Sequence, residues 1–221
     1  TNRLGNTLTR NLTLPILALG AGAIKLASDF EESLNKVRVS FGDSSTEVEK
    51  FAETTLESFG IAEGSALELA ALFGVMGTAL GVTQESPAKM SNELLGLAGD
   101  LASFKNISID IAQTALAGIF TGETESLKKL GIMTTEATLK NSDYFKSLNK
   151  TWTSLTNLEK IQVRYMEVLR QSNNATGDFL RTQDGFANQM RILQETIKET
   201  GAEFGKSLIP LATDLVKILT K

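Results

Sequence analysis

Apolar residues recur along this chain at spacings of three, four and seven, the signature of α-helices with one face turned inward. Leu14-Pro15-Ile16 opens a run that is apolar all round to Ala27, then amphipathic through Phe30, Leu34 and Val37. Pro15 suits a first helical turn, where its missing N–H costs no bond. Gly42 ends this segment, and Ser44 with Glu47 has capping-box spacing ahead of a stripe of Val48, Phe51, Ala52, Thr55, Leu56 and Phe59. Gly60 is the next stop. Ser65 with Glu68 repeats the capping pattern before Leu67, Leu69, Leu72, Phe73, Val75, Met76 and Leu80, which predicts a largely buried helix. Gly74 lies on it, and Gly77 with Gly81 has the small-xxx-small spacing that lets helix backbones approach closely. Pro87 opens a further helix through Met90, Leu94, Leu95, Leu97, Ala98 and Leu101, with a break at Lys105-Asn106. Ser108 then caps Ile109 to Phe120. No alternating strand pattern competes, apart from ambiguous short apolar runs.

The stretch from Ala115 to Ile132, ALAGIFTGETESLKKLGI, sets a tight polar turn between two apolar helical segments. Gly118 and Gly122 bracket the change of direction. Glu123 and Glu125 fall in the first turn of the next short helix, at the positive end of its dipole. Lys128 and Lys129 close it, and Gly131 is its terminator. From Thr134 to Thr153 the composition shifts to Thr, Asn, Ser and Lys, a looser connection with one short helix and the single Trp152. Thr156 with Glu159 caps a helix carrying Leu158, Ile161, Val163, Tyr165, Met166 and Leu169, and the polar run Gln171 to Gly177 breaks it. From Asp178 onward the spacing predicts a long, kinked, partly exposed helix through Phe179, Phe186, Met190, Leu193, Ile197, Phe204, Leu208, Leu211, Leu215 and Leu219. Gly201, Gly205 and Pro210 are its expected interruptions. Such an arm is poorly stable unless it packs on something.

These elements predict an all-α fold, a multi-helix module of short, closely packed helices with a long C-terminal helical arm. The module is expected over 1–150 and the arm over 151–221, continuing in a longer parent protein. A first residue of Thr rather than Met fits an excised or processed piece.

Composition narrows the chemistry. With 42% hydrophobic residues but 6% aromatics, the core must be built from small and aliphatic side chains. A net charge of −4 without clustered Lys and Arg argues against a nucleic-acid clamp. No Cys and no His are present, which removes disulfides, thiolate or imidazole metal sites and His- or Cys-based catalysis. Arg3 and Arg10 ahead of the run Leu12 to Ile24 imitate a signal peptide, yet the run falls short of the roughly 20 apolar residues of a membrane span. A buried or interfacial helix is expected there.

Candidate motifs read as architecture. Gly201-Ala202-Glu203-Phe204-Gly205-Lys206-Ser207 imitates a phosphate loop but has three residues between its glycines, not four, and sits within a helical pattern. The carboxylates Glu123 with Glu125, and Asp29 with Glu31 and Glu32, are explained by capping and solvation, since sequence neighbours on a helix rarely face each other across a cleft. Lys128, Lys129, Lys140, Lys146 and Lys150 read as solvated helix ends. Tyr144, Phe145 and Trp152 are expected to seal a small satellite core rather than stack bases. The reading therefore assigns no catalytic, cofactor-binding or metal residues and no cofactor. Its candidate residues are the structural turn Gly118, Gly122, Glu123 and Gly131, and a partner-contact set Leu14, Ile16, Leu17, Phe204, Leu208, Leu211 and Leu215.

The G-E-T-E block followed by L-K-K-L-G-I at Gly122 to Ile132 resembles the turn region of the tail tape measure proteins of long-tailed, siphovirus-like bacteriophages and prophages. Leu12-Thr13-Leu14-Pro15 leading to Asp29-Phe30-Glu31, and Phe186-Ala187-Asn188-Gln189 followed by Leu208-Ile209-Pro210-Leu211, are similar to the family's segments as well. The likeness spans most of 12–215, though only the Gly122–Gly131 block is specific, and tape measure proteins are usually several times longer. The resemblance implies a non-enzymatic, structural virion protein that sets tail length, fills the tail tube lumen and leaves ahead of the DNA at ejection. Implied partners are the tail tube protein, tail-tip and distal tail proteins, tail assembly chaperones, other copies of the chain and the host membrane at ejection, with no specific nucleic-acid site. It implies the tail lumen as location, and the host cytoplasm during assembly. The rival reading from the residues is a membrane-perturbing or pore-forming helical protein built on Leu12 to Ile24.

Overall fold

The computed structural model of the protein describes residues 14–79 and 85–219. Among them the architecture is all-α, without strands. Helix α1 is Leu14–Phe41, followed by a 3-10 turn at Gly42–Ser44, α2 at Ser45–Glu53 and α3 at Thr55–Phe59. Next come α4 at Glu63–Ala79, α5 at Glu85–Lys105, α6 at Ile109–Thr121 and the short α7 at Glu125–Lys129. Two small helices, α8 at Glu136–Asn141 and α9 at Asp143–Ser147, lead to α10 at Asn157–Gln171, α11 at Asp178–Thr182 and the 34-residue α12 at Phe186–Leu219.

The core forms where α4, α5 and α6 stack. Leu67, Leu69, Phe73, Leu94, Leu95, Leu101, Leu116 and Ile119 are buried there, and Phe73 stacks on Phe120 at 5.7 Å between ring centres. Helix α1 lies along α4 in the same direction, with Phe30 over Gly64 and Phe41 over Gly74. A Cβ on Gly74 would stand 2.6 Å from the Phe41 ring, so the glycine makes room for that side chain. Gly74 thus makes one close approach on α4, Gly77 is buried on the same helix, and Gly81 lies outside the described residues.

Helix α12 runs antiparallel to α1, with Leu208 near Gly20, Gly205 on Ala23 and Gly201 on Leu26. The expected interruptions at Gly201, Gly205 and Pro210 do not occur, since α12 is continuous across all three. Gly205 instead admits the Ala23 backbone, where the interface has no room for a Cβ, and Gly201 sits against the end of the Leu26 side chain, 2.8 Å from where a Cβ would stand. The long helix predicted from Asp178 is in fact two, α11 and α12, separated at 183–185.

Caps follow the sequence in part. Ser108 accepts a hydrogen bond from the Ile111 N–H, and Thr156 with Glu159 forms a full capping box. Ser44 does not cap α2, because the 3-10 turn feeds it into the helix with helical backbone angles and its side chain makes no capping bond. Ser65 does not cap α4 either, since that helix starts earlier, at Glu63. Its hydroxyl and the Ala62 N–H instead both donate to the buried Glu195 carboxylate of α12, at 3.0 and 3.2 Å. A carboxylate from another helix occupies the N-terminus of α4, where the dipole favours it. The 134–153 stretch holds two short helices rather than one, and Tyr144, Phe145, Leu148 and Trp152 pack on Leu139, Leu155 and Val163 as a satellite core.

Candidate functional site

The turn after α6 is built from backbone geometry. Gly122 takes the left-handed conformation at φ 79° and its N–H donates to the Gly118 carbonyl at 2.8 Å, closing α6. Gly118 itself is helical and buried, so only Gly122 redirects the chain. What requires a glycine at 118 is the returning backbone of the turn, because a Cβ there would overlap the Glu123 carbonyl oxygen. Glu123 precedes α7 rather than lying in its first turn. Its carboxylate accepts from the Glu125 N–H at 2.6 Å and the Ser126 N–H at 3.3 Å, and these backbone donors hold its pKa below the usual carboxylate value. Lys128 pairs with Glu125 at 3.7 Å, and Gly131, at φ 83°, sends its N–H to the Lys128 carbonyl. Leu127 is fully buried and anchors the turn to the core.

Sequence reasoning missed the clamp on this turn. Arg164 of α10 donates from Nη1 to the Ile119 carbonyl at 2.6 Å, and its guanidinium lies over Gly122. Burial lowers its pKa. The cation rests at the C-terminal end of α6, where exposed carbonyls and the helix dipole favour it. No local spacing reveals this pairing, which joins positions 45 residues apart.

A second polar joint fixes the start of α12. Asp100, buried in α5, accepts from the Gly177 N–H at 2.6 Å and the Phe179 N–H at 3.1 Å; burial raises its pKa against the pull of those donors. Ser103 donates to Asp178 at 2.6 Å, and Asn188 donates to Ser103 and Thr182, both at 2.9 Å. Arg191 donates to the Ala102 and Ile107 carbonyls, each at 2.9 Å, and to Asn188. The carboxylates of this joint are thus occupied in holding backbone and hydroxyl groups. Asp29 pairs with Lys25 and Glu32 with Lys36 along the exposed side of α1, one helical turn apart.

The partner-contact residues separate. Phe204 and Leu211 are exposed on α12, whereas Leu208 is half-buried beside Gly20. The side chains of Leu14, Ile16, Leu17 and Leu215 lie outside the described residues. Phe204 and Leu211 belong to a longer outward row that also holds Phe186, Met190, Leu193, Ile197 and Ile218. Among the described residues no group of three or more acidic, His or Cys side chains is placed to hold a metal, and no helix is long and apolar enough to cross a membrane. Compared with protein-family models, with curated proteins and with solved structures, the chain matches none.

Proposed function

We propose that this chain is a helical module of a phage tail tape measure protein, a structural component that occupies the tail tube lumen, takes part in setting tail length and departs ahead of the DNA. The likeness of the Gly122 to Ile132 block to that family's turn region supports the reading. The observation that carries the role is the outward apolar row of α12, a helix pinned along its other side to α1. A helix advances about 1.5 Å per residue, so a protein of paired helices converts sequence length into physical length without a catalytic group. The partners that follow from this reading are the tail tube protein, tail-tip and distal tail proteins, assembly chaperones and other copies of the chain. Assembly places it first in the host cytoplasm and then in the virion.

The test is removal of its reading frame from the phage or prophage that encodes it, with mass spectrometry of purified wild-type particles. The reading predicts peptides of this chain in intact tails, and no tails of defined length without it. Normal tails in its absence would refute it.

A further inference from the structure

The outward face of α12 carries large apolar side chains at intervals of seven. Met190, Ile197, Phe204, Leu211 and Ile218 make one column, and Phe186 with Leu193 begins a second, which continues as Thr200, Ser207 and Asp214. The face opposite is spent within the chain, where Asn188, Glu195, Ala202 and Gly205 are buried. The outward residues are 38% exposed at Met190 and up to 82% at Phe186, and no described element covers them.

The period identifies what fits. A seven-residue repeat drifts by about 20° per heptad around a straight helix, so a flat surface loses such a column after a few turns. A second helix winding about α12 follows it throughout. At roughly 200 Å² for a large apolar side chain, the exposed fractions of the seven amount to on the order of 800 Å², about one partner's share of a stable interface.

The two columns are also complementary to each other. With the helices antiparallel about a two-fold axis near residue 202, Phe204 faces Thr200 and Ile197 faces Ser207, bulky against small. Leu211 then faces Leu193, and Ile218 faces Phe186. Only Met190 meets a charged residue, Asp214, near the ends of the seam. A parallel pairing would set Phe204 on Phe204 and Asp214 on Asp214. Glu203, which flanks the axis, is already paired with Lys206 of its own chain at 2.6 Å. We propose that this face seats the same face of a second copy, the two α12 helices pairing antiparallel as an isologous dimer. The inference deepens, and rests on, the contact role proposed above, yet it is read in solution without any phage particle, so either can fail alone.

The test is the solution mass of the 221-residue chain by light scattering and sedimentation equilibrium. The expected result is a dimer, twice 23.8 kDa, that dissociates on dilution. The double variant Ile197→Glu, Phe204→Glu weakens it by about a hundredfold or more, with unchanged helical circular dichroism because both positions face outward. The chain has no Cys, so single-cysteine variants report orientation directly. Leu193→Cys and Leu211→Cys should cross-link when mixed and not alone. A monomer at every concentration, a dimer indifferent to the double variant, or a single-cysteine variant that cross-links to itself would overturn the proposal, and a monomer that binds liposomes would assign the face to a membrane surface instead.

Discussion

Gly205 of α12 lies so close to Ala23 of α1 that a Cβ on the glycine would overlap the Ala23 carbonyl oxygen, with the Ala27 methyl 2.9 Å away on the same side. Gly→Ala within a helix ordinarily gains about 0.5–1 kcal/mol. Here the obstacle is backbone, which no rotamer change can move aside. Gly205→Ala is expected to destabilise the protein by about 1–3 kcal/mol, lowering the melting midpoint by roughly 2–4 °C for each kcal/mol. A thermal or denaturant melt reads this, and a gain in stability would show that α12 does not rest on α1.

The turn at Gly118 carries the same kind of constraint, since the Glu123 carbonyl occupies the space of the missing side chain. Gly118→Ala should cost about 1–3 kcal/mol, while Ala117→Gly one residue earlier should cost only the roughly 1 kcal/mol of helix propensity. Equal losses in denaturant midpoint would mean that the tight return after α6 is absent.

Arg191 holds α12 to the end of α5 through the Ala102 and Ile107 carbonyls. Arg191→Met keeps most of the side-chain bulk but leaves both acceptors without that donor, an expected loss of about 2–3 kcal/mol. Hydrogen exchange should show faster opening across 102–107 and the first turns of α12. Unchanged exchange there would remove the joint from the account.

Glu167 is buried, 2% exposed, and accepts from Arg170 at 2.6 and 2.9 Å and from Gln171 at 2.7 Å. The Arg170 hydrogen bonds are the main reason its pKa falls below the usual 4.5. A lowered folded-state value means that its stabilisation is complete above pH 4.5 and is lost as the pH falls through the folded value. Glu167→Gln should therefore flatten the loss of stability below pH 4.5 while lowering stability at neutral pH. A variant whose acid dependence matches the wild type would contradict this.

Much of the fold was legible where the signal is local. Gly42, Gly60 and Gly131 end helices with positive φ, Ser108 and the Thr156–Glu159 pair cap as their spacing says, and the Tyr144, Phe145 and Trp152 cluster forms its own small core. Some misreadings are local, such as Ser44 drawn into a 3-10 turn, and others arise where a partner distant in sequence decides. Ser65 has capping-box spacing, yet Glu195, 130 residues away, sits at the start of α4. Gly201 and Gly205 look like helix breakers in sequence, but close packing on α1 gives them another purpose. Arg164 over Gly122, and Asp100 beneath Gly177, have no periodic signature. At the candidate site the spacing of Phe186, Met190, Leu193, Ile197, Phe204 and Leu211 is visible in the sequence, but which side of the helix faces outward is decided by the packing of α12 on α1, a contact between positions far apart in the chain.

If the proposed role in a phage tail holds, the tail-length distribution of particles carrying a helical insert must respond to it. Twenty-one residues added in frame beside this module correspond to about 30 Å of helix. The expected result is a modal tail length, measured by electron microscopy, longer by that amount. Tails of unchanged length, from particles shown to contain the lengthened protein, would contradict it.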